Sequence, residues 1–189
     1  VLEFVQIMFL IPSDNAYGYI VGNDHYSDVF IGRFSAENVA HVQTQVQRTL
    51  EYEINPQFLA DDWYTSVIGI ASDQGPGDDG EMDYQHIRNQ QTQLLAYTYT
   101  WNPELFDGSQ GGNDDPGNPT PSKVATAVNE GAGLIIYCGH GSMTSWGTSG
   151  FGNGNVNALT NQGKLPFIWS VACVNGQFNA GTCFAEAWL

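Results

Sequence analysis

Gly133-Leu134-Ile135-Ile136-Tyr137-Cys138-Gly139-His140-Gly141-Ser142 and Leu165-Pro166-Phe167-Ile168-Trp169-Ser170-Val171-Ala172-Cys173-Val174-Asn175-Gly176 decide how the chain is read. Each is a short apolar run bounded by Gly or Pro, the pattern of a strand buried on both faces of a parallel sheet. Each also ends in a reactive side chain, His140 in one and Cys173 in the other. In open α/β sheets the ligand site lies at the carboxyl ends of the strands. Two neighbouring strands would therefore set an imidazole beside a thiol at one rim. That is the minimum for thiol catalysis: a base to take the proton and a sulfur to attack. The glycines around His140 let a substrate backbone approach and free the Gly141 amide to donate. Amides at the end of the Cys173 strand can point at the same locus and stabilise an oxyanion. Alone, Cys173 reads more readily as a structural thiol, and His140 as readily as a loop histidine; their matching positions favour chemistry.

Working outward, strand and helix alternate, which predicts a parallel α/β sandwich. Strands are expected at Leu2–Ile11, Asp28–Phe34 and Ser66–Ala71. Helices are expected from a Ser35 cap to about Glu53, from Met82 to Ala96, and from a Ser122 cap to about Glu130. Asn153 to Gln162 reads as a helical crossover, and Thr182 to Leu189 as the start of a further helix. Val39, Val42, Val46 and Leu50 make one apolar stripe, read as core packing. Asp107 to Pro121, rich in Gly, Asp, Asn and Pro, reads as a long surface loop.

The composition narrows the function. With 189 residues, 42% of them apolar, the chain can bury a proper core. Twenty acidic residues against five Lys and Arg give a net charge of −15. That field repels nucleic acid and anionic membrane, and it suits basic substrates or divalent cations. Val1 to Ile11 is apolar but too short to span a bilayer. Cys138, Cys173 and Cys183 are an odd count, so at least one thiol is free. Cys138, inside a strand, reads as a buried free thiol. Both chain ends look cut, as in a fragment of a larger domain.

A base works better when a third group orients it. Asp73 closes the strand Ser66–Ala71 in the same topological place and is the candidate. Asp78, Asp79, Glu81 and Asp83 crowd that rim; such a cluster could hold Ca²⁺, neutralise a basic substrate or be merely solvated. His25, His41 and His86 lack a Cys or His partner at zinc-ligand spacing.

Several long motifs resemble the gingipains, secreted bacterial cysteine peptidases with a caspase-like fold. They are residues 137–151 (Tyr-Cys-Gly-His-Gly-Ser-Met-Thr-Ser-Trp-Gly-Thr-Ser-Gly-Phe), 158–162 (Ala-Leu-Thr-Asn-Gln) and 171–178 (Val-Ala-Cys-Val-Asn-Gly-Gln-Phe). Residues 183–187, 19–26 and 29–35 extend the likeness. The resemblance implies a caspase-like three-layer α/β sandwich with a mostly parallel central sheet and helices on both faces. It implies Cys173 as nucleophile, His140 as base and Asp73 as the orienting acid, with Gly141 and Cys173 supplying oxyanion amides. Gly80-Glu-Met-Asp83-Tyr-Gln-His86 looks like the arginine-specific branch, which puts Asp83 at the floor of the S1 pocket; Trp146 is a second expected substrate contact.

The resemblance further implies a structural calcium, with Glu186, Val174 and Gln177 as expected ligands, and no cofactor for the chemistry. Residues 1–60 are expected to end one caspase-like subdomain, and 61–189 to be the first half of the catalytic one. The expected partners are peptides with a basic P1 residue and the remaining segments of the catalytic domain, with neither nucleic acid nor a membrane span. The expected location is extracellular or on the bacterial surface. The competing expectation is a non-catalytic surface or secretion-system component on the same fold.

Overall fold

The computed structural model describes residues 13–54, 62–77, 79–161 and 163–189. The expected strand at Leu2–Ile11 and the residue Asp78 lie outside these. Among the described residues there are six strands: β1 (Val67–Ala71), β2 (Glu104–Phe106), β3 (Leu134–Cys138), β4 (Gly141–Ser142), β5 (Ser145–Trp146) and β6 (Phe167–Val171). The helices are α1 (Val39–Ile54), α2 (Asp83–Leu95), α3 (Pro121–Glu130), α4 (Asn153–Val156) and α5 (Phe184–Ala187). The described residues divide into two compact units. One comprises those within Val1–Pro56 and Gln177–Thr182, with Leu189; the other comprises those within Gln57–Gly176 and Cys183–Trp188.

The second unit is built on a four-stranded sheet in the order β2-β1-β3-β6, every pair parallel. Side chains alternate along a strand, so each strand feeds two faces. On one face Ile68, Ile70, Leu105, Ile135 and Tyr137 pack with Val124, Ala127 and Val128 of α3. On the other, Val67, Ala71, Phe106 and Ile136 pack with Ile87 of α2. This is the expected three-layer sandwich.

Helix ends differ from expectation in their caps. In α3, Pro121 opens the helix and Thr120 Oγ1, not Ser122, accepts the Lys123 amide at 3.3 Å. Pro fits there because its missing N–H would be unpaired anyway. The crossover at Asn153 is helical only to Val156, with Gly154 inside it. The strand β2 was not foreseen. It carries Glu104, buried and paired with Arg88 of α2 at 2.6 Å. On α2, Leu95 is exposed, whereas Gln91 is buried and donates to the carbonyls of Val67 and Pro103.

In the first unit the expected strand Asp28–Phe34 does not form. The Asp28 amide donates to the Gly18 carbonyl at 2.9 Å, and its carboxylate accepts from the Ile20 and Val21 amides. These bonds close a loop instead of a ladder. Asn38, not Ser35, caps α1, its Oδ1 accepting the His41 amide at 3.1 Å. The stripe Val39, Val42, Val46 and Leu50, expected in the core, is exposed.

The turn into β3 has no room for a side chain. A Cβ on Gly133 would stand 2.1 Å from the Tyr64 carbonyl oxygen, whereas one on Gly154 would meet nothing within 4 Å. Gly133→Ala should therefore lower unfolding free energy by about 2 kcal/mol or more, the scale of overpacking against backbone. Gly154→Ala should change it by less than about 0.5 kcal/mol in the destabilising direction. Urea midpoints of the two variants check this; equal midpoints would contradict it.

Candidate active site

The sheet register brings the reactive side chains level. Ala71 pairs with Cys138, and Cys138 pairs with Val171. Asp73, His140 and Cys173 each lie two residues beyond one of these three partners, on adjacent strands β1, β3 and β6. All three are exposed. Among the described residues no hydrogen bond joins their side chains; the Asp73 carboxylate accepts from Gln74 Nε2 at 3.0 Å. Catalytic hydrogen bonds are often long without substrate.

Each loop is held by its surroundings. The Tyr137 hydroxyl donates to the His140 carbonyl and lies 3.0 Å from Thr148 Oγ1; the Gly147 amide donates to the same carbonyl at 2.7 Å. Burial, above all, keeps that phenol protonated to higher pH than usual. The turn at Cys173–Gly176 presses on the His140 loop so closely that a Cβ on Gly141 would fall 2.7 Å from the Cys173 carbonyl oxygen. Val174, directly after the thiol, has φ 51°, a left-handed conformation that a β-branched residue seldom adopts.

Asp83 reaches the same rim from the start of α2. Its amide donates to the Gln74 carbonyl at 2.9 Å and its carboxylate accepts from Ser72 Oγ. The Cys138 thiol faces that carboxylate. Burial first, and the Asp83 charge second, push the thiol up to about 11. Ser72 and Cys138 as partners of Asp83 were missed in the sequence; their signal is position, each closing a strand. Asp107, at the end of β2, is likewise held up, first by burial and then by the Asp73 charge.

One expected contact is corrected. Trp146 is buried, not open to substrate. Its ring stacks on Tyr137 at 4.7 Å and its Nε1 donates to Ser170 Oγ at 2.9 Å, so it supports the His140 loop from beneath. Of the expected calcium ligands, Glu186 also caps α5, its Oε2 accepting the Cys183 amide at 2.9 Å. A separate group, Asp79, Glu81 and His86, has ligand atoms that lie within 4.8 Å of one another. His86 Nδ1 stands 3.2 Å from both carboxylates.

The model of peptidase family C25 matches residues 3–189. The chain belongs to this family. Gingipain R2 of Porphyromonas gingivalis is 47% identical over 180 residues, covering 94% of this chain. Lys-gingipain of the same organism is 26% identical over 174 residues, 90% of this chain. The crystal structure of the Arg-specific cysteine proteinase gingipain R superposes with a TM-score of 0.82 at 45% identity, over 94% of this chain and 39% of that one. The chain thus spans 23% of the length of Gingipain R2 and 9% of Lys-gingipain. The caspase-like α/β sandwich expected from the sequence is the fold of this chain.

The three thiols are free and differ in environment. Cys173 is exposed; Cys138 and Cys183 are both raised, chiefly by burial. Only a thiolate is alkylated at a useful rate. Iodoacetamide at pH 7.5 should modify the exposed Cys173 on the order of 10²-fold faster than Cys138, which burial and the Asp83 charge hold as the thiol. Peptide mass mapping over time measures it. Faster labelling of Cys138 would contradict this.

Proposed function

We propose that the chain carries the catalytic centre of a secreted cysteine endopeptidase that cleaves after arginine. The observation that carries this reading is the common register of Asp73, His140 and Cys173 at the ends of three adjacent strands. Cys173 Sγ attacks the scissile carbonyl carbon while His140 takes the thiol proton. The oxyanion is met by the amides of Gly141 and Cys173. His140 then returns the proton to the leaving amine, and water hydrolyses the thioester. Asp73 orients the imidazole without itself taking the proton.

Asp83 reads the P1 side chain. With one oxygen bound to Ser72 Oγ, the carboxylate is pinned for a bidentate pair with a guanidinium. A lysine ammonium cannot use that fork. The greater identity to Gingipain R2 than to Lys-gingipain supports arginine over lysine, and the net charge of −15 suits cationic substrates.

The reading extends to the surroundings. Asp79, Glu81 and His86 have the charge for a divalent cation. Calcium prefers oxygen donors, so the two carboxylates would be its ligands and the imidazole the atypical one. Such an ion steadies the loop ahead of Asp83 and takes no part in bond making. Residues 1–60 are read as the end of one subdomain and 61–189 as the first half of the catalytic one. Further chain of the same catalytic domain is the partner of β6, where Phe167 and Trp169 are 61% and 60% exposed. No helix among the described residues is long and apolar enough to cross a membrane.

Cys173→Ala should abolish peptide hydrolysis and leave the fold intact, and His140→Ala should do nearly the same. Asp73→Asn should cost less than either. Turnover of Cys173→Ala near the unaltered rate would overturn the assignment. Asp83→Asn should lower kcat/KM for arginyl peptides by on the order of 10²-fold, about 3 kcal/mol, and leave neutral P1 peptides little changed. Matched Arg, Lys and neutral P1 peptides supply the measurement; equal slowing on all three would remove Asp83 from S1.

A further inference from the structure

The side chains of His140 and Cys173 sit on separate loops. The β3–β6 ladder ends below them, its last bond running from the Gly139 amide to the Val171 carbonyl at 3.2 Å. Above that point the sheet no longer fixes one loop against the other. The turn after the thiol is also strained, since Val174 holds φ 51°. A β-branched residue keeps such a conformation only where its neighbours over-determine it.

Asn175 is the residue that spans the gap. It is 5% exposed and lies two positions after Cys173. Its Nδ2 donates to the Ser142 carbonyl at 2.6 Å and to the Ser145 carbonyl at 3.1 Å, both in the β4–β5 hairpin that follows His140. Its Oδ1 accepts from Ser170 Oγ at 3.0 Å, and Ser170 Oγ in turn accepts from Trp146 Nε1 at 2.9 Å. Its backbone carbonyl accepts the Ala185 amide at 3.0 Å. Both amide hydrogens and the amide oxygen are thus engaged, a fully satisfied buried network of the kind that fixes one arrangement. The amide needs space beside the His140 loop: a Cβ on Gly141 would lie 3.0 Å from Asn175 Nδ2. Glycine at 141 therefore serves the clamp as well as the open amide.

We propose that Asn175 is a positioning residue of this site: its side-chain amide fastens the loop carrying His140 to the turn carrying Cys173. The inference rests on the reading of Cys173 and His140 as nucleophile and base. A cysteine aligned with a histidine forms a thiolate at a pH well below that of a free thiol. Loss of the clamp lets the loops drift, and the thiol then titrates as an unaided one. Substrate binding through Asp83 does not pass through Asn175, so KM should hardly change.

The test uses the full-length protein and three variants. Asn175→Ala removes the clamp. Asn175→Asp keeps its volume and the Ser170 bond but sets an oxygen against the Ser142 and Ser145 carbonyls. Ser170→Ala leaves both N–H bonds in place. The readouts are the pH profile of Cys173 alkylation by iodoacetamide, kcat and KM on an arginyl peptide, and the thermal melt. In Asn175→Ala and Asn175→Asp the acid limb of alkylation should move up by about a unit or more toward the free-thiol value near 8.5. Their kcat should fall by on the order of 10²-fold, with KM within about threefold, while the melt stays cooperative. Ser170→Ala should show a smaller shift in the same direction. Folded Asn175 variants with the unaltered alkylation profile and kcat would overturn the inference. So would loss of cooperative melting in both, with Ser170→Ala wholly unaffected, since that assigns Asn175 to folding alone. An ordinary free-thiol profile in the unaltered protein is a separate result: it overturns the pairing of Cys173 with His140, and the clamp with it.

Discussion

The parallel register of β1, β3 and β6 is the constraint on which the rest depends. Ala71, Cys138 and Val171 stand abreast, so the chain leaves the sheet at one level on three adjacent strands. The proposed chemistry follows from that level rim. A one-residue slip of β6 against β3 would turn each of its side chains to the other face and carry Cys173 away from His140. The register of β1 and β3 is protected by the two layers that enclose them. On β1 and β3, Ile68, Ile70 and Ile135 meet the α3 layer while Val67, Ala71 and Ile136 meet the α2 layer, so a slip between those two strands would expose both sets at once.

Much of this was legible in the chain. Continuous apolar runs such as Leu134–Cys138 have no other stable home than a covered strand, and Gly and Pro mark their ends. The catalytic candidates were legible for the same reason, because each closes such a run. What failed depended on tertiary partners. Glu104 hides β2 from any hydrophobic pattern, because a carboxylate enters a strand only when an Arg88 waits for it. Asp28 ties back to the amides of Ile20 and Val21, so the apolar run Val29-Phe30-Ile31 never meets a ladder. Trp146 stands in a glycine-rich motif beside the histidine and reads as a substrate contact. Its burial is decided by Tyr137, which no local signal reveals.

The same rim gathers charge of one sign. Asp73, Asp107, Asp83 and Asp79 share a small region of surface with few cations nearby in sequence; Cys138 and Asp107, both raised first by burial, are raised further by these charges. Crowded carboxylates repel, and a protein tolerates them where a cation is to be bound. A guanidinium at Asp83 and a divalent ion at the Asp79–Glu81–His86 cluster would each relieve a different part of the strain. Specificity and stability would then draw on one feature, an acidic edge above a neutral core.

The central claim is that Cys173, His140 and Asp83 form one arginine-reading nucleophilic site. The most direct measurement is peptide mass mapping after inactivation of the full-length protein by an arginyl chloromethyl ketone, beside the uncharged norleucyl reagent. The account requires a single stoichiometric adduct on Cys173 that forms much faster with the arginyl reagent. Equal rates with the two reagents, or an adduct on Cys138 or Cys183 instead, would contradict it.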